Sequence, residues 1–213
     1  MRWNFDPFVL LVLALLAVPV WRSPAGIAAT GTLAIAFLSP LCALSSALFA
    51  ARVVHHVLLV AVAAPLLAIA WPARKRAGVG LPFLLATAAL WLWHAPGAYD
   101  AALGHMSLYW VMQASLFGTA VWFWRSAFSH ADGAGAAWVF LAYLAMGLLG
   151  ALLTFAPDPL YATHATGPLL WGLTPLQDQQ LGGLIMWMPA GLPFAVWGAI
   201  LARRAWRNTE GAT

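Results

Sequence analysis

Seven apolar runs divide the chain, spanning about 4–21, 27–44, 53–71, 81–99, 108–124, 136–156 and 181–202. Each is close to the roughly 20 residues that a helix needs to cross the hydrocarbon core of a bilayer. The runs are continuous and rich in Leu and Ala. They lack the alternation of a barrel strand, so the pattern predicts helices, which satisfy their own backbone in lipid. The expectation is an all-α, polytopic membrane bundle of seven transmembrane helices, forming one domain over 1–213.

The polar residues between the runs set the expected orientation. Arg22, then Arg74, Lys75 and Arg76, then Arg125, then Arg203, Arg204 and Arg207 fall in one alternate set of gaps, while the other set holds only Arg2 and Arg52. Positive charge in short loops marks the cytoplasmic side. The C-terminus is therefore expected in the cytoplasm and the N-terminus outside. A cleaved signal peptide is an alternative for the first run, with Arg2 as its basic region and 8–20 as its apolar core, but Asp6 fits that basic region badly.

Composition removes whole classes of function. Hydrophobic residues make up 63% of the chain and charged residues 8%, far from the balance of a water-soluble domain. The net charge of +4 is explained by loop asymmetry, which makes nucleic-acid binding unnecessary. One cysteine, Cys42, rules out an internal disulfide and any Cys-rich metal site. The single lysine, Lys75, lies in a basic loop, so it cannot form a Schiff base inside the bundle. Neither G-x-S-x-G, HExxH nor a P-loop occurs.

Candidate chemistry gathers in the gaps on the expected outer side. His55 and His56 stand near the start of the third run, His94 near the end of the fourth, His105 and Met106 before the fifth, His164 in the last outer loop and Asp178 ahead of the seventh. Only His130 falls on the other side. Ionisable groups at a membrane boundary are costly unless they pair, face water or bind something. Imidazole is the commonest metal ligand, and nearby Met106, Met112, Met186 and Met188 add soft sulfur that favours copper. Taken singly, a histidine is more often a hydrogen-bonded interfacial group, and a methionine more often packing. Adjacent residues project about 100° apart on a helix, so one of His55 and His56 is expected to face a shared site. Haem held by His56 and His94, at similar depth on consecutive runs, is the alternative. The tryptophans, among them Trp71, Trp93, Trp124 and Trp206, read as interfacial belts. Gly182 and Gly183 read as a close helix contact.

Four ordered blocks carry a resemblance: RVVHHVLLVAVAAPLL at 52–67, WLWHAPGAYDAA at 91–102, LGALLTFAPDPLY at 149–161 and DQQLGGLIMW at 178–187. Together they resemble the membrane-integral CtaG family of cytochrome c oxidase assembly factors. The resemblance implies a non-catalytic, seven-helix protein of the bacterial inner membrane that works with cytochrome c oxidase subunits and handles copper. It places His56, His94, Asp178, Gln179, Met186 and Trp187 at motif positions. Many members carry His-x-x-x-His where this chain has 52–56 and 109–113, and here only His56 matches by type. The expected metal-binding set is His55, His56, His94, Asp178 and Met186, facing outward, with a periplasmic copper donor as a further partner. Asp178 is expected as an oxygen ligand or as acceptor for a histidine N–H.

Overall fold

The computed structural model describes residues 3–130 and 132–210. Arg2, counted above in the outer gaps, lies outside the described residues. All regular structure among the described residues is helical. Helix α1 (Pro7–Ala17) starts at Asp6, whose carboxylate accepts from the Phe8 N–H at 2.7 Å, so this acid serves as an N-cap. Pro24 opens α2 (Pro24–Leu38), with Ser23 as its cap. A second Ser-Pro pair, Ser39 and Pro40, ends α2 and starts α3 (Pro40–Ala47) at a bend of 51°.

The next helix is continuous over Phe49–Ala70. It comprises α4 (Phe49–Val57), a π-helical turn (Leu58–Ala63) and α5 (Ala64–Ala70). A π-turn has wide i→i+5 bonding, and Pro65 inside this apolar run lacks the N–H that an α-turn would require. Two carbonyls in the π-turn receive indole donors: Trp124 Nε1 donates to Val60 O at 2.7 Å and Trp197 Nε1 to Ala61 O at 3.2 Å. Trp124 is thus a buried strut of the core, correcting its expected place in an aromatic belt. Trp93 is likewise buried, whereas Trp3, Trp21, Trp71, Trp171 and Trp206 remain exposed.

Then come α6 (Gly80–Leu92), the short α7 (Pro96–Gly104), α8 (Met106–Phe128), α9 (Ala134–Thr154), α10 (Pro175–Trp187) and α11 (Gly191–Glu210). Side-chain pairings fix their directions. Phe37 of α2 meets His55 while Ala29 packs near Leu67, so α2 opposes α4 and α5. Trp93 bonds Ser115 while Phe83 meets Phe123, so α6 opposes α8. Gln179 bonds the Leu153 carbonyl while Tyr143 bonds that of Trp187, so α9 opposes the α10–α11 pair. The last of these approaches uses glycine: a Cβ on Gly183 would lie 2.7 Å from the Gly150 carbonyl oxygen. The expected small-residue contact is present.

Three helices among the described residues are long and apolar enough to cross a membrane, Phe49–Ala70, Ala134–Thr154 and Pro175–Glu210, with the bent Pro24–Leu38 and Pro40–Ala47 pair as a fourth. The other expected spans fall short for identifiable reasons. Helices α1 and α6 have 11 and 13 residues, or about 16–20 Å at ~1.5 Å per residue against a hydrocarbon core of ~30 Å. Helix α8 has 23 residues, but Gln113, Ser115, Thr119, Arg125 and Ser126 dilute its apolar character.

Candidate functional site

One end of the bundle gathers His55, His56, His94 and His164. Helix α4 places Arg52, His55 and His56 over one turn, and all three are buried. The 100° step between adjacent residues separates the two rings. His55 turns toward α2, where its ring meets Phe37 edge-on at 4.9 Å, and His56 turns toward α6, where its ring centroid lies 5.7 Å from that of His94. The two histidine rings of α4 are themselves 5.8 Å apart.

His94 sits where α6 ends. Its Nδ1 lies 2.7 Å from the Leu90 carbonyl, an acceptor only, so Nδ1 carries the proton. That assignment leaves Nε2 as a bare lone pair, buried and without a hydrogen-bond partner. Neither nitrogen of His56 has one. Gln113 and the Ala36 carbonyl flank His55, yet neither nitrogen of His55 nor either amide atom of Gln113 completes a hydrogen bond. Buried polar atoms are normally satisfied, because each unmade bond costs about 1–3 kcal/mol. Several such atoms belong to side chains packed together at this end of the bundle.

Arg52 does not reach outward. Its Nε donates to the Ser45 carbonyl at 3.0 Å, its guanidinium lies 5.5 Å over the Tyr109 ring, and Nη1 has no partner. Positions 52 and 109 therefore meet in space, as Arg52 over the Tyr109 ring, while Gln113 lies beside His55 rather than His56. No carboxylate pairs with Arg52 among the described residues.

Asp178 has partners other than a histidine. Its two oxygens accept from the backbone N–H groups of Phe49 at 2.6 Å and Ala50 at 3.1 Å. Leu48 in the cap position of α4 offers no side-chain acceptor, so α10 supplies the cap from across the fold. The carboxylate thereby holds the helix that carries both histidines. Met186 packs in the main core with Phe49, Val53 and Tyr99, and its neighbour Gly150 limits its room. The other thioethers do not assemble: Met112 is core, while Met106 and Met188 are exposed. Among the described residues, no three His, Cys, Asp or Glu side chains converge as a metal-holding group.

A buried aromatic lid closes the site. The Phe49 ring stacks on Tyr161 at 4.5 Å and meets His94 at 6.3 Å and His164 at 6.1 Å. Tyr161 Oη donates to the His94 carbonyl at 2.8 Å. His164 lies 3.2 Å from the Ala47 carbonyl through Nδ1, which must donate, and its Nε2 accepts from Tyr99 Oη at 2.7 Å. Asp100 accepts from the N–H groups of Ala162 and Thr163, and Gln179 accepts from Leu160 N–H at 2.7 Å. Sequence reasoning missed Phe49 as a member of this assembly and gave no role to Tyr99, Tyr161 and Gln113, which entered it only as positions within the family motifs. Only Gly182 hinted at it, since a Cβ there would lie 2.5 Å from the Phe49 ring.

An all-helical bundle with several apolar helices and a buried histidine cluster defines an integral membrane protein with a polar site near one end. The model of the family described as cytochrome c oxidase caa3 assembly factor (Caa3_CtaG) matches residues 80–208, more than half of the chain. The chain belongs to that family. The matched region contains His94, Asp178 and Met186, while His55 and His56 precede it. No curated protein and no solved structure matches the chain.

Proposed function

We propose that this protein assists the assembly of cytochrome c oxidase from within the bacterial inner membrane by holding one Cu(I) ion between His56 and His94. The observation that carries this reading is the bare, buried Nε2 of His94 on a ring packed edge-on beside a second unpartnered imidazole, with centroids 5.7 Å apart. Two imidazoles bridged by one metal at about 2 Å from each nitrogen would have centroids about 6 Å apart. Zinc in proteins takes four ligands, and two nitrogens are too few for it. Cu(I) accepts two ligands in a line. His55 turns away toward α2 and Met186 packs in the apolar core, so two imidazoles make up the ligand set, and Asp178 acts through the helix it caps.

In this reading the bundle crosses the membrane seven times, with the short α1 and α6 and the polar α8 completing spans that neighbouring helices shelter. The histidine end faces the periplasm, where a copper donor and the oxidase subunits meet it. The protein catalyses no reaction. Its partners are the oxidase subunits, the donor and the surrounding lipid.

The test is copper stoichiometry of purified protein under reducing conditions, with an optical spectrum of the same sample. About one copper per chain is expected for the wild type and almost none for the His56→Ala/His94→Ala double variant. Equal copper in both would refute the site, and an intense Soret band would assign the histidines to haem instead. Copurification of oxidase subunits with the copper-free variant would separate docking from metal delivery.

A further inference from the structure

At the opposite end of the bundle a cavity of about 230 Å³ opens between the end of α8 and the last turns of α11, lined by Phe128, Ser129, His130, Arg204, Arg207 and Asn208. Two guanidinium groups line it and no carboxylate does. Arg204 and Arg207 are three residues apart and share a face of α11. Arg203 projects about 100° away from Arg204 and is not among the lining residues.

The floor is rigid. Ser129 Oγ accepts from the Ala77 N–H at 3.1 Å and donates to the Ser126 carbonyl, and His130 Nε2 donates to the Ala77 carbonyl at 3.0 Å. Two acids stand in the vicinity and neither lines the cavity: Asp132 is engaged by Arg76, and Glu210, three residues beyond Arg207, accepts from Trp206 Nε1. A helix C-terminus contributes roughly half a negative charge, so the end of α8 offsets only a fraction of two arginines. The lining itself is positive.

Its depth in the membrane follows from α11 itself. Exposed Leu192, Val196 and Ile200 give way to Arg203, Arg204, Trp206 and Arg207 within two turns. Such a change from lipid-facing aliphatics to Arg and Trp falls at the headgroup level. A basic cavity between helices at that level matches the phosphate of an anionic headgroup, which guanidinium binds through paired N–H donors.

We propose that this cavity is a phosphate-binding site in which Arg204 and Arg207 hold the headgroup of an anionic phospholipid. The proposal is independent of the copper reading. It is tested by native mass spectrometry of detergent-solubilised full-length protein titrated with phosphatidylglycerol or with phosphatidylcholine of the same acyl chains. A separate arm uses inorganic phosphate alone.

Phosphatidylglycerol is expected to be retained about tenfold better than phosphatidylcholine by the wild type and by Arg203→Gln. The preference should vanish in Arg204→Gln/Arg207→Gln, whose thermal unfolding is compared with the wild type to confirm an intact fold. An equal loss in Arg203→Gln would show diffuse attraction to basic charge and overturn the site, as would full retention in the double variant. Saturable binding of inorganic phosphate without any lipid preference would overturn the lipid as occupant.

Discussion

The single side chain on which most of the histidine end depends is Asp178. Both of its oxygens are committed to amide N–H groups at the start of α4, and both partners are buried. Asp178→Asn keeps the shape but turns one acceptor into an NH2 group facing an N–H donor. One amide is left unsatisfied, at about 1–3 kcal/mol. The expected result is a lower thermal midpoint in detergent together with weaker copper retention, because the start of α4 positions His56. The aspartate read as a candidate ligand from its place in the sequence, and no sequence feature pointed to Phe49 and Ala50, some 128 positions away. A variant with unchanged midpoint and unchanged amide exchange at Phe49 and Ala50 would remove the capping role.

Among the elements, the connection over 155–174 at the histidine end is irregular, with two short 3-10 turns, and one titratable group anchors it. Its anchor is His164, neutral with Nδ1 donating to Ala47 and Nε2 accepting from Tyr99. Burial holds its pKa below the ordinary value. The sign follows directly. Above about pH 6.5 folded and unfolded forms are both neutral and the anchor contributes fully, whereas below it the unfolded loop takes up a proton that the docked loop resists. Docking therefore weakens as pH falls from about 6.5, and hydrogen exchange over 157–166 should accelerate in that window while exchange in α9 stays unchanged. His164→Gln should flatten the pH dependence. Equal acceleration in both segments would mean global loosening rather than release of this loop.

How legible these elements were depended on what marked them. Gly182-Gly183 announced a close contact, a local signal with a local cause, whereas the helix starts at Pro40 and Pro175 were passed over by the expected runs over 27–44 and 181–202. The neighbourhood of His56 and His94 also followed from the chain, because consecutive antiparallel helices with a short connection bring their ends together. The π-turn after His56 was not legible, since its carbonyls depend on Trp124 and Trp197 donating from two other helices. The same holds for Arg52. A single arginine at the end of an apolar run reads as a snorkelling group, and only tertiary contacts with Ser45 and Tyr109 bury it.

On the scale of the whole molecule, the two ends of the bundle differ in kind. One carries buried neutral imidazoles beneath an aromatic lid, and the other carries Arg74, Lys75, Arg76, Arg125, Arg204 and Arg207 around a short connection pinned to α8 through Ala77 and Ser129. Alternating helix directions put successive connections at alternate ends, and the basic residues follow that alternation. Positive charge near span ends resists translocation, so the arrangement proposed above places the basic end in the cytoplasm. A reporter fused after Arg207 should then be cytoplasmic, and one inserted at Gly104, beside the exposed His105 and Met106, should be periplasmic. A third insertion at Gly78 discriminates the span count. If α6 crosses the membrane despite its 13 residues, Gly78 and Gly104 report opposite sides. Should they report the same side, α6 is a re-entrant element and the seven-span arrangement is wrong, while the outer position of the histidine cluster would still rest on Gly104 alone.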